Sequence, residues 1–192
     1  MASHIAGTTP YPWPWNADLS GFGTAITIVM PADVEPQLDA AELAAVHSIA
    51  ASVRQAGGLV VSVTTRPPAR MNDLPHKPRG VEIDSTIVDH HVEADGIDGF
   101  CGSRLEGLLR SHAVERLILV GAGLETCIHS TMRSGNDRGF ECLLVIDAAA
   151  AYDPSLVAAS VSMIEMSGGI FGAVGHATDV MSAYTPGKGD RA

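Results

Sequence analysis

Residues 117–120, Leu-Ile-Leu-Val, are apolar at every position. Such a run is the mark of a strand covered on both faces. Gly121-Ala122-Gly123-Leu124-Glu125 follows as a short turn whose two glycines allow unusual backbone angles. Residues 126–138 then read as a helix, with Gly139 as its C-terminal stop. A buried strand, a glycine turn and a helix returning over the sheet suit a layered α/β arrangement and little else.

Cys127 falls where this strand ends and the helix begins. N–H groups of a first helical turn have no intrahelical partner, and the helix dipole is positive there. A thiolate is stabilised in that place. The same N–H groups, those of Thr126 and Cys127, could hold the oxyanion formed when the thiolate attacks a carbonyl. Against this stands the ordinary role of a free cysteine, a small buried hydrophobe. Cys101, in a loop, and Cys142, in an apolar strand, read as structural. His129, two residues after Cys127, points to a different side of the helix. Glu125 would oppose a thiolate if it pointed inward, so it is expected to face solvent or a partner.

The other elements repeat the alternation. Residues 24–30 and 59–65 are β-branched, apolar strands. Between them, residues 40–56 carry Leu43, Val46, Ile49, Ala50 and Val53 at helical spacing, opened by Asp39 or Gln37 and stopped by Gly57-Gly58. Residues 66–79 hold four prolines and read as loop. A third strand is expected at 85–90, a short helix at 104–111 and strands at 141–146 and 170–174. Helices are expected at 155–167, after Asp153-Pro154, and at 177–184. Strands alternating with helices at this spacing predict a three-layer α/β/α domain around a central, mostly parallel sheet. Ligands in such sheets sit at the C-terminal strand ends, where Cys127 lies. The expected organisation is an extended Pro/Trp-rich arm (1–23), one α/β domain (24–185) and a short tail (186–192).

The run GAGLETCIHSTMRSGNDRGFECLLVIDAAAAYD resembles the signature of the isochorismatase-like cysteine hydrolases. Asn136 to Leu144, Met166 to Gly172 and the N-terminal Pro10-Tyr11-Pro12-Trp13-Pro14-Trp15-Asn16 are similar to the biuret-type amidohydrolase branch of that family. The resemblance implies a hydrolase of carbon–nitrogen bonds other than peptide bonds, acting on a small molecule. It also implies a homo-oligomer, because the arm lies near subunit contacts in that branch. Trp13 and Trp15 are expected to pack on the body or on a neighbouring subunit. Family members carry a triad in which Cys127 would be the nucleophile, with Thr126 supplying an oxyanion-hole N–H. Phe100, Gly123 and Leu124 would border the substrate.

The triad's other two members are not where the resemblance puts them. The first-strand Asp position is occupied by Val29. Asp33, four residues on, is the candidate replacement base. Counting back from Phe100 puts the family's lysine at Ala94; counting forward from Thr86-Ile87-Val88-Asp89 puts it at His90. His90 is the candidate replacement, and His90 or His91 with Asp33 would form a Cys-His-Asp arrangement. The segment between Pro75 and Thr86 is shortened, which should open the pocket to water or to a neighbouring subunit. Lys77 lies in that segment. Asp73 and His76 match a zinc-binding pattern of some members, but no further His follows at ligand spacing, so neither metal nor other cofactor is expected.

Composition narrows the classes further. The chain has 192 residues, 46% hydrophobic and 18% charged, enough for one domain with a substantial core. The net charge of −10, with two lysines, argues against nucleic acid and anionic membranes. No apolar stretch is long enough for a membrane helix and no secretory signal is visible. Three cysteines without paired spacing suit the cytoplasm. Three functions stay open: a cysteine hydrolase with replaced partners, a catalytically degenerate homologue that binds or supports a partner, and a pocket reused for a non-hydrolytic step.

Overall fold

A computed structural model describes residues 3–32, 38–66 and 83–184. Six strands form one sheet: β1 (Thr24–Pro31), β2 (Leu59–Thr65), β3 (His90–Glu93), β4 (Arg116–Ala122), β5 (Glu141–Ala150) and β6 (Ala173–Gly175). Their order is β3-β2-β1-β4-β5-β6 and every pairing is parallel. All C-terminal strand ends therefore meet along one edge of the sheet.

Helices cover both faces. α1 (Ala40–Gln55) and α5 (Ala177–Tyr184) pack with Ile26, Ile28, Val60, Ile118 and Val120. α2 (Leu105–Ser111), α3 (His129–Asp137) and α4 (Val157–Glu165) cover the face that holds Ala25, Val29, Val61, Val63, Leu117 and Leu119. These are the alternate residues of the same strands, as the period-two geometry of a strand requires. β1 and β4 are buried at nearly every position, as their unbroken apolar runs predict. Asp39 opens α1 through a capping box, accepting from Ala41 and Glu42 N–H while Glu42 accepts from its own N–H.

Three elements differ from the sequence reading. Residues 85–87 are a single 3-10 turn, and the third strand starts only at His90. Asp84 holds the turn by accepting from Thr86 N–H, and the Asp89 carboxylate takes the Val60 N–H that a strand there would have paired. Residues 170–172 are turn, and β6 begins at Ala173. Gly172, at φ +96°, lies where a Cβ would come within 2.2 Å of the Cys142 carbonyl oxygen. β5 runs on to Ala150, past its expected end at 146. It does so through a bulge: between the pairs Leu119↔Leu144 and Gly121↔Ala149, β4 advances two residues and β5 five.

The N-terminal arm is part of the packed body. Trp13 is fully buried, with Ile5, Tyr11 and Leu19 in the same core cluster as α1 and α5. Thr9 forms an antiparallel bridge with Val174 of β6. Trp15, by contrast, is 76% exposed. Among the described residues no helix is long and apolar enough to cross a membrane.

Candidate active site

Cys127 sits just beyond the C-terminal end of β4, in the middle of the sheet. The helix expected from Thr126 opens instead with a single π turn over Leu124–Ile128, and α3 follows. Gly123 makes this possible. At φ +79° it takes the left-handed conformation that favours glycine, and its carbonyl accepts from Ile128 N–H, five residues on. The same carbonyl accepts from Thr126 N–H at 3.0 Å. The Thr126 N–H expected to hold an oxyanion is therefore engaged within its own turn. The Cys127 N–H, by contrast, favours the thiolate of its own side chain.

The thiol is fully buried. Burial pushes its pKa up, and Thr65, Thr126, Tyr152 and the Cys127 N–H pull it partly back by favouring the thiolate. Thr126 Oγ1 lies 3.7 Å from the sulfur. Thr65 ends β2 on the same sheet face, fully buried, and its Oγ1 has no geometrically formed hydrogen bond among the described residues. It bears on the thiol, whose ionised form it favours.

Val29 and Ala94 are both fully buried. Val29 pairs with Val63 of β2 and with Gly121 of β4, in the apolar cluster that contains Cys127 and Leu124. A Cβ at Gly121 would come within 2.2 Å of the Val29 carbonyl oxygen, so a glycine is required for these strands to pair closely beneath the thiol. Ala94 follows β3 and donates its N–H to the Thr64 carbonyl.

Several sequence-predicted site residues lie elsewhere. His90 opens β3 opposite Val61, and Thr65 lies four residues farther along β2, about 13 Å at the usual strand rise. His90 is thus at the far end of the sheet from the thiol, its ring against His112 at 5.2 Å. The reason is the late start of β3: a residue expected to close a strand opens it instead. His91 is exposed, with Nε2 3.4 Å from Thr64 Oγ1. Phe100, expected to border substrate, is buried beside the middle of α3. It stacks on Phe140 and lies beneath the Arg138 guanidinium, and a Cβ on Gly135 would meet its ring at 3.5 Å. Gly123 is at the site. Leu124 is fully buried in the core beside it. Asp33, Asp73, His76 and Lys77 lie outside the described residues.

Glu125 is half-buried and has partners. Its carboxylate accepts from two successive backbone N–H groups, Tyr152 at 3.0 Å and Asp153 at 2.7 Å. His129 is buried, and burial, then the Arg133 charge, lowers its pKa. Its Nε2 has no partner among the described residues. His176 stands with Asp147 (Nδ1–Oδ2 3.7 Å) at the start of α5, where Asp147 also accepts from Ala177 N–H. Among the described residues no group of three or more His, Cys, Asp or Glu could hold a metal ion.

Tyr152 is the site residue that sequence reading missed. It lies 25 positions after Cys127 (152 − 127), at the end of the run that carries the family resemblance, where no role was attached to it. One signal pointed to it: it follows the strand adjacent to β4, and loops after neighbouring parallel strands converge on one site.

The Isochorismatase domain profile matches residues 29–178. A streptothricin hydrolase of Streptomyces noursei is 32% identical over 111 residues, which are 56% of this chain and 40% of that protein. The chain thus spans well under half the length of this curated relative. A cysteine hydrolase from Pseudomonas syringae pv. phaseolicola superposes with TM-score 0.69 at 20% identity, covering 85% of this chain and 93% of the other. The N-carbamoylsarcosine amidase of Thermoplasma acidophilum gives 0.60 at 19%, covering 80% and 96%. The nicotinamidase of Staphylococcus aureus gives 0.62 at 14%, covering 80% and 98%. At such identities these structures speak for the shared fold.

Proposed function

Since the chain belongs to the isochorismatase family, we propose that it hydrolyses a carbon–nitrogen bond of a small amide or ureido compound through Cys127. The observation that carries this reading is the surroundings of Cys127: a buried thiol at the end of a central strand, with its own N–H and three hydroxyl-bearing side chains turned to the sulfur. The names of the relatives, a streptothricin hydrolase, an amidase and a nicotinamidase, agree with it. The sulfur attacks the carbonyl carbon, and the Cys127 N–H receives the developing oxyanion. The proton lost by the thiol leaves with the amine, and water then cleaves the thioester. Val29 and Ala94 stand in for the Asp and Lys of a complete triad, in a site closest to the biuret-type branch. The exposed Trp15, Met166 and Ile170 favour a homo-oligomer, and the three free cysteines favour a cytoplasmic setting.

A second reading has its own observation. Val29, at the position the resemblance gives to the Asp, and Ala94, one of the two it gives to the Lys, are apolar and fully buried. A homologue that binds its ligand without cleaving it would tolerate this. Assay of small ureido and amide compounds with the wild type and Cys127→Ser separates the two. Slow hydrolysis abolished in Cys127→Ser supports the cysteine route. Hydrolysis that survives the substitution removes it. No hydrolysis, together with ligand binding unchanged in Cys127→Ala, transfers the assignment to the binding reading.

A further inference from the structure

We propose that Tyr152 is a catalytic residue of the Cys127 site: its phenol O–H donates to the sulfur as the thiolate forms, and Glu125 holds it in place as a positioning residue. This rests on the reading that Cys127 is the reacting group.

Three observations converge. Gly123, in the left-handed conformation, marks where the side chains meet. A Cβ there would lie 3.1 Å from Tyr152 Cε2, 3.1 Å from Thr126 Oγ1 and 3.4 Å from Cys127 Cβ. The absent side chain is what lets the tyrosine ring lie over the turn beside the nucleophile. Second, both Glu125 oxygens grip the loop that carries the ring, through the N–H groups of Tyr152 and Asp153. Charge-assisted bonds of this kind fix a backbone more firmly than neutral ones. They also turn the Glu125 charge to a task other than opposing the thiolate two residues away. Third, the phenol lies close enough to the thiol that a bond between the two bears on the ionisation of both.

The direction of that bond follows from acidity. Burial, and then the neighbouring sulfur, push the Tyr152 phenol well above its ordinary value. The phenol therefore keeps its proton over the range in which the thiol loses its own, and it can act only as donor to the anion. Thr65 Oγ1, fully buried and without another partner, offers the sulfur a second hydroxyl. Neutral donors thus perform the stabilisation for which an activated cysteine otherwise uses a cation.

The test is the thiolate's ultraviolet absorbance against pH, taken as the difference between each protein and its Cys127→Ser counterpart so that Cys101 and Cys142 cancel. A hydrogen bond to a charged group shifts such an equilibrium about tenfold or more. Tyr152→Phe, which removes only the hydroxyl, should raise the half-point by about one pH unit or more. Glu125→Asp keeps the charge but is too short to reach both N–H groups, and it should raise the half-point by a smaller step. A half-point unchanged or lowered in Tyr152→Phe overturns the assignment. If that variant does not fold, Glu125→Asp decides it on the same criterion. Because the readout is not hydrolysis, the outcomes separate. A raised half-point in a protein that hydrolyses nothing sinks the hydrolase reading and keeps Tyr152. Hydrolysis with an unmoved half-point does the reverse.

Discussion

The two ends of β4 each bury a polar side chain, and they treat it in opposite ways. At the N-terminal end Arg116 is 2% exposed and fully engaged. It donates to the carbonyls of Asp18, Ser20 and Phe22 and to Thr24 Oγ1, and it pairs with the Asp18 carboxylate at 3.4 Å. At the other end Cys127 meets three hydroxyls and its own N–H, and the Thr65 hydroxyl has no other partner among the described residues. The first arrangement leaves nothing for a ligand to do, and it ties the arm to the sheet. The second leaves buried polar atoms under-used, which a fold tolerates where something else is to arrive. One strand thus carries a satisfied polar centre at one end and an under-satisfied one at the other.

The largest effect that would break this contrast is at the structural end. Arg116→Met should cost about 3–5 kcal/mol in urea unfolding, because it removes at once the several hydrogen bonds and the ion pair of a buried guanidinium. A loss below about 1 kcal/mol would mean that the arm does not depend on the arginine. Trp13→Ala should cost about 3–4 kcal/mol, since the ring is fully buried. Trp15→Ala, at an exposed position two residues on, should stay within about 0.5 kcal/mol. Equal losses for the two would contradict the arm's packing.

At the reactive end, Val29→Asp should cost about 2–3 kcal/mol, because it places a carboxyl in an apolar wall without a partner. Adding Ala94→Lys should recover part of that loss and lower the half-point for Cys127 ionisation. A double variant no better than the sum of the singles would remove the view that these two positions once held a coupled charge pair.

The smallest effect concerns pH. Burial raises the Cys142 thiol and the Tyr11 phenol above their ordinary values, and Cys127 shifts the same way. As pH climbs past the ordinary thiol value of about 8.5, the unfolded chain releases protons that the folded chain keeps. Stability is therefore whole below that pH and falls above it, by at most about 1.4 kcal/mol per pH unit for each such group. Cys142→Ala should flatten the alkaline decline in urea midpoints. An identical slope would show that the buried thiol is not its source.

Much of this was legible in the sequence because it depends on neighbours in the chain. The unbroken apolar run at 117–120, the glycines at 121 and 123 and the alternation of strand and helix patterns were enough for the layered parallel sheet. They also put Cys127 at the C-terminal edge. Asp39 as the opener of α1 was readable for the same reason, since a capping box spans only four residues. The burial of Val29 in β1 was readable in the same way, because register along one strand is a matter of counting.

Tertiary structure alone decided what counting could not reach. Whether His90 ends a strand or begins one depends on where the Asp84 and Asp89 carboxylates find their N–H partners, and that choice moves its ring to the other end of the sheet. The packing of Phe100 beneath Arg138, the burial of Trp13 but not Trp15, and the grip of Glu125 on the loop bearing Tyr152 all join segments far apart in the chain. Local patterns encode which face a residue presents and which element it belongs to. They do not encode which distant loop comes to rest against it, because that follows from strand order and from where each buried polar atom finds a partner.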